Sequence, residues 1–148
     1  MEEHRIRISS EWLQGLSRGS SHELELFSLH GLKIVQAHRG FIRCNFVVSN
    51  RISDGDGNWH VGAMATLIDD VGAAAILSLT GHIKGSLDFN ISFYFPAKIQ
   101  EEVEIEAKVV GEKGRLVSVV VEVRKKDNGE LIALAKQWMS VPSIASKI

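Results

Sequence analysis

A chain of 148 residues is long enough to bury a core of its own, and this length predicts one domain over residues 1–148. Hydrophobic residues make up 45% and charged residues 24% of it, as in ordinary globular proteins. The net charge of −1 gives no reason to expect a nucleic acid or an anionic membrane as partner, and no apolar run reaches the roughly 20 residues of a membrane-spanning helix. Cys44 is the single cysteine, so an internal disulfide is excluded.

Two short helices and a hairpin are predicted in the first third of the chain. Ser9 or Ser10 can cap a helix over residues 11–16, and a second helix follows Ser21. Apolar runs then predict two strands, and the two residues Arg39-Gly40 between them have the length of a tight turn. These strands cover residues 32–38 and 41–48. Asn, Asp, Ser and Gly dominate residues 49–59, which are predicted to form a loop.

A long buried helix is predicted from Val61 to Thr80, because apolar residues occur on nearly all of its sides. Gly81 is a natural end for it, and Gly72 and the alanines keep it thin enough for a sheet to wrap closely. Four more strands follow, with a turn at 111–114 after the second and an Asn-Gly turn before the last. They cover residues 86–95, 102–110, 116–125 and 131–141. The order predicts an α+β fold, an antiparallel sheet around one central helix, whose uncovered edges favour pairing with another copy.

The start of the central helix is the first candidate for chemistry. The N–H groups at Val61 and Gly62 have no partner inside the helix and carry the positive end of its dipole, which suits a carbonyl oxygen that becomes an oxyanion. An ordinary helix start, with a glycine for packing, is the alternative. His60 is a candidate donor, base or cap. No second His or Cys stands at metal-ligand spacing from it, so no metal site is predicted.

Asp69 and Asp70 are the second candidates, because they interrupt an otherwise apolar helix. Burial of a carboxylate is costly unless it is paired, and desolvation raises its pKa towards neutral, which suits a base or nucleophile. The alternative places one Asp at a solvent-facing seam and the other in a structural hydrogen bond. Periodicity does not decide which of the two faces a site.

Short basic clusters occur at both ends of the predicted strand 116–125. Arg115, Arg124 and Lys125 are candidates to bind the phosphates of a nucleotide-like ligand, with solvated turns as the alternative. The sequence contains no glycine-rich phosphate loop. Ser86 lacks the Gly-x-Ser-x-Gly context of an elbow nucleophile, and Cys44 is predicted to be a core residue of a strand.

His60-Val61-Gly62 followed by Asp69 resembles the His-Gly-Gly…Asp motif of hotdog-fold acyl-CoA thioesterases. The resemblance is to the phenylacetate-pathway type and its eukaryotic small acyl-CoA thioesterase relatives, and residues 86–97 and 129–133 also look like that family. It covers about residues 31–141. Two features depart from the family. Its first motif glycine is Val61 here, and a longer loop before His60 leaves either Asn50 or Asn58 in the place of an upstream Asn.

The resemblance implies a hotdog fold and the hydrolysis of acyl-CoA thioesters to free acid and CoA, with no metal or organic cofactor. Asp69 would be the nucleophile or the general base, and Ser86 would position the attacking water or the carboxylate. The N–H groups of Val61 and Gly62 would polarise the thioester carbonyl. The family builds such sites across a dimer interface, so we expect a homodimer or a dimer of dimers, that is, a homotetramer.

Two other functions stay open from the sequence. One is a hotdog hydratase or dehydratase on 3-hydroxyacyl thioesters, with His60 and Asp69 as acid and base. The other is a non-catalytic acyl-CoA binding protein. The last three residues, Ser146-Lys147-Ile148, differ from the peroxisomal address Ser-Lys-Leu only in the final residue. They predict a peroxisomal location, with the cytoplasm as the alternative.

Overall fold

The computed structural model describes residues 1–19 and 22–142 of the chain. Its helices are α1 (Glu2–Ser17), α2 (Glu23–Leu29) and α3 (Val61–Thr80). Its strands are β1 (Lys33–His38), β2 (Phe41–Val47), β3 (Gly85–Phe93), β4 (Glu102–Lys113), β5 (Leu116–Lys125) and β6 (Leu131–Ser140). The predicted peroxisomal signal at 146–148 lies outside the described residues and stays a prediction.

The six strands form one antiparallel sheet in the order β1-β2-β4-β5-β6-β3. The sheet packs on α3, and α1 and α2 pack on α3 as well. Inward-facing side chains of β2, β4, β5 and β6 form one core with the apolar residues of α3. The predicted α+β fold, a sheet wrapped around one central helix, is confirmed. The two edge strands are β1 and β3.

The central helix α3 has the predicted bounds, and thirteen of its residues are buried. Gly81 ends it in the left-handed conformation, with φ 79°, and donates its N–H to the Leu77 carbonyl. A Cβ at Gly72 would lie 3.3 Å from the side chains of Val119 and Val121, so this glycine allows the close approach of helix and sheet. The helix is long and apolar enough to cross a membrane by length and composition alone, yet most of it is buried inside the fold.

Helix α1 is longer than predicted, and the predicted cap at Ser9 or Ser10 is wrong. The helix begins at Glu2 and runs through both serines. The Ser9 hydroxyl is buried and donates to the Ala74 carbonyl of α3, while Arg5 donates to the Leu79 carbonyl at 2.9 Å. A serine inside a helix can donate its hydroxyl to a carbonyl of a neighbouring helix. Ser9 therefore marks a contact with α3 and not the start of α1.

The predicted hairpins are correct apart from one boundary. Arg39-Gly40 connects β1 to β2, and His38 pairs with Phe41. The predicted turn at 111–114 is too long, because β4 continues to Lys113, which pairs with Leu116. A bulge between Val109 and Gly111 shifts the register and lets the strand run on past the glycine.

Candidate active site

Three side chains from three elements meet on one side of α3. Asp69 of α3 is half-buried, Ser86 stands at the start of β3, and Gln137 lies in the middle of β6. The Gln137 Nε2 group donates to Asp69 Oδ1 at 2.6 Å and to Ser86 Oγ at 2.8 Å. The structure therefore brings the two predicted residues Asp69 and Ser86 together through a third residue that sequence analysis missed.

A β-bulge brings Ser86 to this cluster. Ser86 pairs with Met139, but Asp88 pairs with Trp138, so Leu87 is an extra residue in β3. Side chains alternate along a strand, so a regular β3 would put Ser86 on the same face as Asp88, away from the helix. The bulge reverses that and puts Ser86 on the helix side, beside Met139. Bulges that redirect a side chain in this way are common next to active sites.

The sequence pattern of the last strand could have identified Gln137 as a candidate site residue. The inward-facing residues of the last strand and its extension alternate with outward ones, and all are buried. They are Ala133, Ala135, Gln137, Met139 and Val141. Gln137 is the polar member of this row and is only 1% exposed. A polar side chain in the buried row of a core strand needs a partner, which makes it a candidate site residue.

A cavity of about 400 Å³ opens beside the Asp69 cluster. Asp69, Asp70, His82 and Ser86 supply its polar wall, and apolar side chains of α1, α3 and β6, including Trp12, Leu77 and Met139, supply most of the rest. The arrangement is a carboxylate and a hydroxyl at one side of an apolar chamber. Such a chamber suits an apolar substituent attached to a polar reacting group.

Asp70 faces a different environment from Asp69. It is 7% exposed, and its Oδ2 atom has no hydrogen-bond partner among the described residues. Burial raises the pKa of Asp70 to about 8, and the nearby charges of Glu25 and Asp69 add to that rise. Asp70 is therefore protonated at neutral pH, whereas Asp69 has the amide donor that a carboxylate accepts. Of the two aspartates, Asp69 is thus the one that meets the Gln137 donor, and Asp70 is the one without a partner among the described residues.

The start of α3 is capped by His60. The His60 Nδ1 atom accepts the Gly62 N–H at 2.9 Å, which leaves any proton of the neutral ring on Nε2. The Gly62 donor is thus already used. The Val61 N–H has no acceptor among the described residues, and the Val61 side chain is 57% exposed. Of the two predicted oxyanion donors, Val61 is the one that is free in this structure.

A second pocket, of about 260 Å³, lies at this helix start. It is lined by Asp54, Asn58, Val61 and Met64 together with residues 93–96. Asp54 Oδ1 accepts the N–H groups of Asn58 and Asp56, which lowers the pKa of Asp54.

Asn50, the other predicted Asn, does not line that pocket. Its side-chain oxygen accepts a hydrogen bond from Gln100 at 3.1 Å, in the 3-10 turn Asn50–Ile52. Of the two candidates, Asn58 is the one that the fold places at the helix start.

The three predicted phosphate-binding residues do not form one cluster. Arg115 precedes β5 and Arg124 and Lys125 end it, so they are separated by about 30 Å of extended strand. Arg124 is paired with Glu122 at 2.9 Å. Lys125 lies between Glu101 and Glu130, each at 3.5 Å, and mainly the Glu101 charge raises the pKa of Lys125. Acidic neighbours already neutralise two of the three cations.

Other chemistries find less support in this structure. Burial raises the pKa of the Cys44 thiol to about 12, so this residue stays protonated in the core, as predicted for a strand residue. Among residues 1–19 and 22–142, no group of three or more His, Cys, Asp or Glu side chains is placed to hold a metal ion.

An antiparallel sheet around one long helix is the architecture of the hotdog fold, and this chain adds a carboxylate on the helix and a free donor at its start. Residues 56–132 match the thioesterase superfamily. Human acyl-coenzyme A thioesterase 13 is 32% identical over 103 residues, which cover 69% of this chain and 74% of that protein. The chain belongs to the thioesterase superfamily, and it is a thioester hydrolase.

Solved structures agree over nearly the whole chain. The crystal structure of zebrafish thioesterase superfamily member 2 has a TM-score of 0.82 at 25% identity, covering 93% of this chain and 98% of that one. The E. coli PaaI protein from the phenylacetic acid degradation operon has a TM-score of 0.75 at 16% identity, covering 94% and 97%. The predicted family and its fold are thus confirmed.

Proposed function

We propose that the protein hydrolyses acyl-CoA thioesters to a free acid and CoA, with Asp69 as the general base. The observation that carries this proposal is the Asp69 carboxylate, which is held at Oδ1 by Gln137 and faces an apolar cavity beside the Ser86 hydroxyl. The acyl-coenzyme A thioesterase name of the human relative supports the substrate class.

In the proposed reaction, a water molecule beside Asp69 and Ser86 attacks the thioester carbonyl carbon. Asp69 accepts a proton from the water as the new C–O bond forms, and the carbonyl oxygen becomes an oxyanion. A helix-start N–H stabilises that oxyanion. Collapse of the tetrahedral intermediate breaks the C–S bond, and the proton held by Asp69 passes to the CoA thiolate or to solvent. The apolar chamber lined by Trp12, Leu77 and Met139 takes the acyl group.

One chain does not complete this site. Asp69 lies eight residues after Val61, and eight residues of helix rise about 12 Å. The base must reach the attacking water and the donor must reach the carbonyl oxygen, each at about 3 Å, and this separation along one helix is too long for that. We propose that Asp69 of one protomer works with the helix start of its partner.

Edge strand β3 offers the surface for such a pairing. It pairs with β6 on one side, and its other backbone edge has no partner among the described residues. Leu87, Phe93 and Tyr94 stand exposed along it and just beyond its end. An exposed apolar edge strand is a template for another strand. Antiparallel pairing of two β3 strands about Asn90 would set Ser86 of one protomer opposite the Tyr94 end of the other, which borders the helix-start pocket.

The geometry gives less support to the hydratase alternative. That reaction needs a His that is free to act as acid and base, whereas His60 uses its Nδ1 atom to cap α3. Nothing in the structure favours a non-catalytic binder over an enzyme, because the carboxylate, the hydroxyl and the cavity are all present.

The test is thiol release from aromatic and straight-chain acyl-CoAs by the wild type, Asp69→Asn and Asp127→Asn. Asp127→Asn is the matched control, because this Asp lies in the exposed turn before β6. We expect release by the wild type and the control and a loss of at least about 1000-fold in Asp69→Asn, since the base is removed. Full activity in Asp69→Asn would contradict the assignment. A single turnover in ¹⁸O water puts the label into the released acid if Asp69 is a base. If Asp69 is a nucleophile and water cleaves the anhydride at the Asp69 carbonyl, the label enters the enzyme and the acid leaves unlabelled.

A further inference from the structure

Gln137 interrupts a row of core residues, and the fold makes room for it. Its neighbours in the inward-facing row of β6, Ala135 and Met139, are apolar and buried. The Gln137 Oε1 atom is buried with no hydrogen-bond partner among the described residues. A Cβ at Gly72 would lie 3.3 Å from this oxygen. A buried carbonyl without a donor and a glycine inside a helix both cost stability. Packing alone therefore does not explain this side chain.

The chemistry of its neighbours fixes the orientation of the Gln137 amide. Both hydrogens of the NH₂ group are used, one on Asp69 Oδ1 and one on Ser86 Oγ. A flipped amide would put its oxygen against the Asp69 carboxylate, and two acceptors repel. The NH₂ group is therefore the end that faces the cluster, and Oε1 points back towards Gly72.

This orientation assigns opposite roles to the two partners. Ser86 Oγ accepts from Gln137, so its own proton is free to be donated, and no acceptor for it occurs among the described residues. Asp69 Oδ1 is occupied, so the carboxylate has Oδ2 left to accept a proton. A single water molecule between them would accept from Ser86 and donate to Asp69. That places the water's remaining lone pair for attack on a carbonyl carbon.

We propose that Gln137 is a positioning residue, whose NH₂ group turns Ser86 into a donor and Asp69 into an acceptor for one attacking water molecule. The inference rests on the proposed thioester hydrolysis. Gln137 itself does not touch substrate. It acts through the directions that it imposes on the Asp69 and Ser86 hydrogen bonds.

Gln137→Met tests the proposal, because methionine keeps the length of the side chain and removes both donors. We expect kcat to fall on the order of 100-fold with KM unchanged, since the water is misplaced while the cavity is intact. The thermal midpoint does not fall, because the substitution also removes the orphan Oε1.

Gln36→Met is the matched control. Gln36 also lies on a strand of this sheet, but on the opposite edge strand β1, where it contacts His38 and Arg43. We expect this variant to keep the wild-type kcat and KM. Wild-type kinetics in Gln137→Met would overturn the proposal. A lower kcat together with a raised KM and a lower thermal midpoint would also overturn the proposal, because that combination indicates a structural role.

A measurement without turnover separates this inference from the proposed function. The Gln137 side-chain amide ¹H–¹⁵N resonances, assigned by their loss in Gln137→Met, are compared between the wild type and Ser86→Ala. We expect the proton that Gln137 donates to Ser86 to shift upfield in Ser86→Ala, and unmoved amide resonances would overturn the inference. If the wild type releases no thiol from any acyl-CoA, the proposed function fails, while these resonances still decide whether Gln137 directs Ser86.

Discussion

Asp70 makes the stability of the protein depend on pH in a way that one substitution removes. Burial and the charges of Glu25 and Asp69 raise the pKa of Asp70 from 3.8 to about 8 in the folded state. The folded protein therefore holds a proton that the unfolded chain releases above pH 3.8. The free energy of unfolding falls as pH rises through that window and levels off above about pH 8.

The size of the effect follows from the width of the window. Each pH unit between the two pKa values changes the free energy of unfolding by about 1.4 kcal/mol. Between pH 5 and pH 8 the wild type therefore loses on the order of 4 kcal/mol from this group. Asp70→Asn keeps the shape of the side chain and carries no titratable proton. All other titratable groups are the same in both proteins, so their contributions cancel in the difference between the two free energies of unfolding.

The assay is denaturant unfolding at pH 5, 6.5, 8 and 9, at one protein concentration, followed by tryptophan fluorescence, to which the buried Trp59 contributes. We expect Asp70→Asn to gain stability over the wild type as pH rises, with the gain complete near pH 8. Asp127→Asn, in an exposed turn, should follow the wild type at every pH. Parallel curves for wild type and Asp70→Asn would refute the reasoning, because they would mean that Asp70 is ionised in the folded protein.

Three further predictions concern the site and its surroundings. Phe93→Lys on β3 should convert the protein to monomers in analytical ultracentrifugation and abolish thiol release, since a charge on an edge strand blocks pairing. The control Val35→Lys on β1 should keep the wild-type oligomer and its thiol release. A fully active Phe93→Lys monomer would contradict the shared site. Arg124→Met should leave KM for a CoA ester within about threefold, because Glu122 already neutralises this cation, and a tenfold rise would show that it binds phosphate. Val61→Pro should fold and lose on the order of 100-fold in kcat, because proline suits the first position of a helix but lacks the N–H; wild-type kcat would exclude Val61 as the donor.

The architecture was predictable because its signals are local. The helix Val61–Thr80 is apolar on nearly all sides and ends at a glycine, so its bounds could be placed from the sequence. Turn residues and apolar runs marked the strands. Errors arose where a tertiary contact used the same residue type as a local signal. Ser9 suits a helix cap, but its hydroxyl bonds to a carbonyl of α3.

The site was predictable only in part, because its geometry depends on register. Asp69 stood out as a carboxylate in an apolar helix, but only the packed structure shows that Asp69 meets a donor and Asp70 does not. Ser86 faces the helix because Leu87 is an extra residue in the ladder, and a bulge has no reliable mark in one sequence. Gln137 was visible as a polar residue in an apolar row. Its meaning required the neighbours that β3 and α3 bring to it.

The most direct test of a shared thioesterase site is complementation between two inactive variants. Asp69→Asn lacks the base, and Val61→Pro lacks the helix-start donor. In a mixed dimer, the Val61→Pro protomer supplies Asp69 and its partner supplies the Val61 N–H, so one of the two sites is intact. Unfolding and refolding the two variants together should restore about a quarter of the wild-type rate of thiol release, since half of the dimers are mixed. A mixture as inactive as its parents, with mixed dimers present, would contradict the shared site.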